Sequence, residues 1–212
     1  LVREGRVTLN GEVRRDPETP VLMGQDHVAV DGAAVQAAAK SYWMLNKPRG
    51  LVTTADDEKG RDTVYSLLPA GLPWMGPVGR LDMDSEGLLL MTNDTTWANR
   101  ITAPESHLEK TYHVQIGRVA DRQLLERFEA GVDDFGEVLK ARRAGILREA
   151  EGGCWLEIVL DEGKNRHIRR MAEAAGINVL RLVRVKIGGL GLGDLPVGAA
   201  RELAAEDLRL LL

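Results

Sequence analysis

The segment from Gly79 to Asp94 constrains the fold of this chain more than any other. Gly87-Leu88-Leu89-Leu90-Met91 is a continuous apolar run, the pattern of a strand buried on both faces. Just before it, Gly79-Arg80-Leu81-Asp82-Met83-Asp84-Ser85-Glu86 sets three acids in a glycine-flanked loop. A loop anchored on a buried strand is a rigid platform for a reactive carboxylate. Spacing alone does not choose among Asp82, Asp84 and Glu86, and a polar turn with solvated acids fits the same residues.

The surrounding pattern sets the fold class. Tyr42 to Leu45 reads as a strand running into the turn Lys47-Pro48-Arg49-Gly50. Thr111 to Ile116 alternates, with Tyr112, Val114 and Ile116 on one face. Trp155 to Leu160 and Val179 to Ile187 read as further strands. Ala120 to Gly131 reads as a helix with Leu124, Leu125 and Phe128 as its apolar stripe. Asn165 to Ala175 reads as another, stopped by Gly176. Strands outnumber helices without strict alternation, which predicts an α+β fold with a mixed or antiparallel central sheet flanked by helices. Ahead of it, residues 1–38 read as a small separate unit. Gly5 to Asn10-Gly11 is a β run ending in a hairpin signal, and His27 to Val30 is another, ending in Asp31-Gly32. Alanine-rich Ala33 to Lys40 is expected as a linker, leaving 39–212 as the main domain.

Several function classes are excluded by what is missing. No apolar run approaches the roughly 20 residues that span a bilayer. No apolar signal region follows Leu1, and the absence of an initial methionine predicts that the chain begins inside a longer protein. Cys154 is the single cysteine, so no internal disulfide forms and a reducing cytoplasm is expected. His27, His107, His113 and His167 show no metal-ligand spacing. Neither a phosphate-binding glycine loop nor a serine nucleophile elbow occurs.

The net charge of −4 argues against a nucleic-acid partner until its distribution is considered. Between Gly163 and Lys186, seven basic residues face the single acid Glu173, a candidate footprint for a polyanion. On a helix from Asn165, Ile168, Met171, Ala172 and Ala175 share one face, and Arg166, Arg169 and Arg170 the other. Asn165 would cap that helix, and its free N–H groups beside Lys164 would suit a phosphate. One of these arginines could instead turn inward and pair with a buried carboxylate. The plain alternative is an amphipathic surface helix. Tyr112 is either an ordinary core tyrosine or a ring that stacks on an extruded base.

At these segments the chain resembles the ribosomal small-subunit-type and related large-subunit pseudouridine synthases. Their signature G-R-L-D-x-x-x-x-G-L-L-L-x-T-N-D stands complete as Gly79 to Asp94. K-P-x-G is matched by Lys47 to Gly50 and K-x-Y by Lys110 to Tyr112. E-G-x-N-R-x-[IV]-R-R-M is matched by Glu162 to Met171, and R-L-x-R-x-x-[IL]-G by Arg181 to Gly188. Order and spacing agree across almost all of Ser41 to Leu212. One departure is Thr95, expected in a turn, where the family usually has glycine. Gly5 to Gly11 and Asp26 to Gly32 are similar to the second half of an S4 RNA-binding domain.

The resemblance implies a pseudouridine synthase fold and isomerisation of a uridine within RNA, with ribosomal RNA as the expected partner. It makes Asp82 the nucleophile, Arg169 its ion-pair partner and Tyr112 the ring that packs on the flipped uracil. Arg80 would extrude the base or contact phosphate, and Lys47 and Pro48 would shape the floor. Lys164, Asn165, Arg166, Arg170 and Arg184 are the other expected RNA contacts. A monomer needing no metal or cofactor is implied. A glycoside hydrolase using Asp82 with Asp84 or Glu86 would need carboxylates facing each other across a sugar, which neighbours in one loop do poorly. A passive RNA binder would not need the full set of acid, arginine and tyrosine.

Overall fold

The computed structural model describes every residue except Met23, Ala37 and Leu212. Ala37, in the expected linker, and Leu212, at the end of the expected main domain, thus lie outside the described residues. The chain divides into two compact units, Leu1–Ala39 and Lys40–Leu212.

The smaller unit is an antiparallel sheet of β1 (Val7–Leu9), β2 (Glu12–Arg14), β3 (Val28–Val30) and β4 (Ala33–Ala34), in the order β2-β1-β3-β4. Asn10-Gly11 joins β1 to β2 with both residues at positive φ, and Asp31-Gly32 joins β3 to β4 in the same way. Asn and Asp tolerate the left-handed region that such two-residue hairpin turns demand. The expected linker therefore begins as a strand, because Asp31-Gly32 turns Ala33 and Ala34 back onto β3.

In the larger unit the central strands are β5 (Tyr42–Lys47), β6 (Gly76–Val78), β7 (Glu86–Thr92) and β8 (Lys110–Ile116). A short hairpin follows, β9 (Val132–Asp134) with β10 (Glu137–Leu139). Then come β11 (Arg143–Ala150), β12 (Gly153–Leu160), β13 (Val179–Ile187), β14 (Leu190–Gly191) and β15 (Ala200–Glu202). The main sheet runs β11-β12-β8-β13-β7-β5-β15, with β6 added to β7 and β14 to β13. It is mixed: β13 runs parallel to β7, and the other pairings are antiparallel. The helices are α1 (Thr95–Thr102), α2 (Arg122–Ala130), α3 (His167–Ala174) and α4 (Ala205–Arg209). The α+β class and mixed sheet expected from the sequence are found.

The buried run explains the layering. Every residue of β7 is buried. Leu88 and Leu90 enter a core with Met44, Trp97 and Ile101, while Leu89 and Met91 enter another with Leu45, Val64 and Met75. Alternate residues of one strand thus serve opposite faces. A third core packs α2 and α3 on β8 and β12 through Phe128, Met171, Val114 and Leu156.

One edge of β7 is shared. Its first residues, Glu86 and Gly87, pair with β13, and its later residues, Leu90 to Thr92, pair with β6. The acidic loop joins β6 to β7, so it leaves the sheet where these two partners part. The approach of β13 requires glycine at position 87. Its φ is +101°, and a Cβ there would lie 2.2 Å from the Arg184 carbonyl oxygen.

Three local expectations are corrected. Thr95 opens α1 instead of lying in a turn, because the Asp94 carboxylate accepts from the Trp97 amide at 3.2 Å and caps the helix. Asn165 does not cap α3: the helix starts at His167, with Arg166 at the capping position and a φ of +47°. The helix expected from Ala120 starts at Arg122, where Asp121 accepts from Leu124 N at 2.8 Å.

Candidate active site

The loop between β6 and β7 is held by its backbone. Each carbonyl from Arg80 to Ser85 accepts a hydrogen bond. Arg184 Nη1 donates to Arg80 O at 3.5 Å, and Thr53 Oγ1 donates to Leu81 O at 2.7 Å. Asp82 O accepts from Lys47 Nζ and Ser85 N, both at 3.0 Å. Met83 O accepts from Gly50 N at 2.8 Å and from Lys47 Nζ at 3.5 Å. Arg169 Nη2 donates to Asp84 O at 2.9 Å, and Lys47 Nζ to Ser85 O at 2.7 Å. Three of these donors are cations aimed at carbonyl oxygens, the strong form of the bond.

Lys47 is 0% exposed. Its Nζ also donates to Pro48 O at 3.1 Å, so one ammonium gathers the turn after β5 and the acidic loop. Burial pulls its pKa down to about 8, while the charges of Asp84, Glu86 and Asp82 hold it up. It lies beneath the loop, and Pro48, half-buried, supplies one of the carbonyls it binds.

The three acids, indistinguishable by spacing, are distinguished by partners. Glu86 is buried and bound by Arg181 through two bonds of 3.0 and 2.8 Å. Asp84 lies 3.2 Å from Arg169 Nε and 3.3 Å from Arg166 Nη1. Burial raises the Asp84 carboxyl, but the Arg166 hydrogen bond and the charges of Arg169 and Arg166 outweigh it and lower the pKa. The Asp82 carboxylate has Arg166 Nη1 at 3.5 Å, and its side chain is 31% exposed.

These contacts correct several expected roles. Arg169 pairs with Asp84, not Asp82, because its guanidinium spans the Asp84 carbonyl and carboxylate. The arginine beside Asp82 is Arg166, which projects from the helix end in a left-handed conformation. Arg170 is bound to Asp134 at 2.6 Å and Glu137 at 2.6 Å, so its charge is spent within the protein. Lys164 faces Glu162 at 3.1 Å and Glu137 at 3.6 Å, and donates to Val138 O at 3.1 Å. Arg184 is buried, and its Nε donates to Leu88 O at 2.8 Å. It braces the sheet and cannot present its head group to RNA. Asn165 is exposed, and its carbonyl accepts from Arg170.

An open cleft of about 640 Å³ lies over the loop. Arg80, Asp82, Asp84 and Arg166 line it, together with Thr53, Thr54, Lys59 and Arg61 from the segment after Gly50. That second wall went unrecognised in the sequence, where nothing in residue type or spacing marks it. Its size suits a nucleotide-sized ligand. Tyr112 is half-buried and packs between the α2–α3 core and the Leu89–Met91 core. It is not among the residues lining the cleft. No cluster of three or more His, Cys, Asp or Glu side chains suited to a metal occurs among the described residues. Among them, too, no helix is long and apolar enough to cross a membrane.

Residues 41–174 match the RNA pseudouridylate synthase family. The chain is 34% identical over 213 residues to ribosomal large subunit pseudouridine synthase B of Bacillus subtilis (strain 168), covering 100% of this chain and 87% of that protein. It is 37% identical over 209 residues to an RNA pseudouridine synthase of Aquifex aeolicus (strain VF5), covering 98% and 84%. A crystal structure of a pseudouridylate synthase superposes with a TM-score of 0.75 at 29% identity, over 100% of this chain and 90% of that one. The matched family segment holds the acidic loop and all of α3, and the relatives extend along nearly the whole chain. The chain accordingly belongs to the RNA pseudouridylate synthase family, whose members are isomerases.

Proposed function

We propose that this protein isomerises a uridine in ribosomal RNA to pseudouridine, with Asp82 as nucleophile and the base flipped out of its stack. The observation that carries the choice of Asp82 is the commitment of its neighbours. Glu86 is bound by Arg181 and Asp84 is shared by Arg166 and Arg169, whereas Asp82 faces the cleft with one long contact. The ribosomal substrate is supported by the name of the Bacillus subtilis relative.

The reaction moves no group in or out. The Asp82 carboxylate attacks C1′ as the C1′–N1 bond breaks and uracil leaves with the electron pair. The base turns within the cleft, C5 attacks C1′ and the carboxylate is released. The C5 proton departs and N1 takes one up. Arg166 lies beside the Asp82 carboxylate and orients it for the attack, and the bonded loop carbonyls hold it in place. A stacked uracil is out of reach, so extrusion costs a few kcal/mol of unstacking. Arg80, exposed at the cleft, is assigned to offset it, and Tyr112, which lies off the cleft lining, is assigned to pack on the uracil on the strength of the family resemblance alone. The unit Leu1–Ala39 is assigned as part of an S4-type RNA-binding domain. The enzyme acts as a cytoplasmic monomer without metal or cofactor.

The test is tritium release from ribosomal RNA labelled at uracil C5. Wild type should release tritium, Asp82→Asn should release none while keeping its RNA affinity, and Asp84→Asn should keep measurable turnover. Turnover by Asp82→Asn and none by Asp84→Asn would move the nucleophile to Asp84.

A further inference from the structure

The β9–β10 hairpin turns through Phe135-Gly136, with φ of +53° and +87°. The same two-residue geometry recurs at Asn10-Gly11 and Asp31-Gly32, where the first residue is one that tolerates it. A phenylalanine there is strained. Its side chain is also fully exposed, at 104% relative accessibility, so the ring gains nothing from burial. Both costs fall on one residue without any return inside the protein.

The tip is held firmly. Arg170 binds Asp134 and Glu137, the two residues that flank the turn. Lys164 approaches Glu137 and donates to Val138 O. Asp133 Oδ1 accepts from Gly136 N at 3.3 Å. Arg170 and Lys164 face Asp134 and Glu137, and the remaining acid of the tip, Asp133, accepts from the turn's own Gly136 amide. The same stretch carries Arg166 and Arg169, which reach the acidic loop. The hairpin and the candidate nucleophile are therefore braced by one turn of α3.

We infer that Phe135 is a stacking residue for a base of the substrate RNA outside the cleft. It is an affinity contact that steadies the strand from which the uridine is extruded. An aromatic ring on a rigid tip suits a base face, which any nucleotide presents. This rests on the RNA reading above.

The test compares wild type with Phe135→Ala, Phe135→Asn and Phe135→Trp, using tritium release and direct RNA binding. Removing a base-stacking ring should weaken RNA binding and raise KM by about 5- to 150-fold, with kcat at saturating RNA little changed. Phe135→Asn suits the turn, so it should melt at or above the wild-type temperature and still lose RNA affinity. Phe135→Trp should keep affinity, and its indole fluorescence should be quenched when RNA binds. An active wild type with unchanged RNA affinity in Phe135→Ala and Phe135→Asn would overturn the stacking role and leave the tip to a protein partner. An inactive wild type would instead overturn the reading of the reaction.

Discussion

Lys47→Met tests whether the buried ammonium is what positions the acidic loop. Two effects oppose each other in stability. Lys47 Nζ donates to Pro48 O and Ser85 O, whereas Asp82 O and Met83 O keep backbone donors. Two orphaned carbonyls cost about 1–3 kcal/mol each. Against that, the lysine pKa falls from 10.5 to about 8, so keeping the charge buried costs about 3 kcal/mol that the variant escapes. Near neutral pH the two nearly offset, and Lys47→Met should lose no more than about 3 kcal/mol of stability. The pH dependence has a definite sign. The folded pKa lies below the unfolded one, so between pH 8 and 10.5 the unfolded state binds more protons. Wild-type stability relative to the variant should therefore rise with pH across that window, by up to about 3 kcal/mol. Chemical denaturation of both proteins from pH 7 to 10.5 measures this. Single-turnover tritium release should fall at least tenfold in the variant, because a misplacement near 1 Å costs about a hundredfold. A stability gap that narrows with pH would refute the burial argument. Wild-type turnover in the variant would refute the positioning argument.

Other consequences are open to measurement. Arg169 and Asp84 should show a coupling of about 1–3 kcal/mol in a denaturation double-mutant cycle, while Arg169 and Asp82 should be nearly additive. The Asp84 contribution should be present above pH 4 and be lost as pH falls through its lowered pKa, measured as wild type against Asp84→Asn. Gly87→Ala should destabilise by more than about 3 kcal/mol in thermal melts, since it forces β13 away from β7 as well as straining φ. Arg80→Ala should reduce the salt dependence of RNA binding by about one unit of slope, while Arg170→Ala should leave the slope unchanged and loosen the hairpin.

The elements legible in the sequence are those with an unbroken apolar period. β7 shows its buried run, β8 its alternation, and α2 and α3 their stripes. β11 was not legible because it is an edge strand with mostly exposed residues, many of them charged. In α1 the buried contacts come from Trp97 and Ile101 alone, too few to show a period. β9 and β10 are as short as β1 and β3 but lack their Asn-Gly or Asp-Gly turn signal, since Phe135-Gly136 stands in its place. The site divides in the same way. Its residue types were legible through the family motifs, but their partners were not. A lysine with no exposed surface runs against what lysines do, and it depends on carbonyls from a loop 35 or more residues away.

Charge shows why partners matter more than counts. The basic segment from Lys164 to Lys186 suggests a phosphate footprint when read along the chain. In space, Lys164, Arg170 and Arg181 are matched to acids, Arg169 to Asp84, and Arg184 to carbonyls, while Lys186 is exposed. Arg166 alone of these lines the cleft, and it too lies between two acids. Most of that positive charge is therefore matched within the protein, around the acidic loop and the hairpin, and is less available to RNA phosphates. Of the exposed cations at the cleft, Arg166 lies beside acids and Arg61 is paired with Asp57, whereas Arg80 in the acidic loop and Lys59 in the opposite wall face it from other segments. Part of the salt dependence of RNA affinity should follow those residues. The local excess of positive charge in the sequence would then mark the scaffold of the site, and the net acidity of the chain would not oppose an RNA substrate.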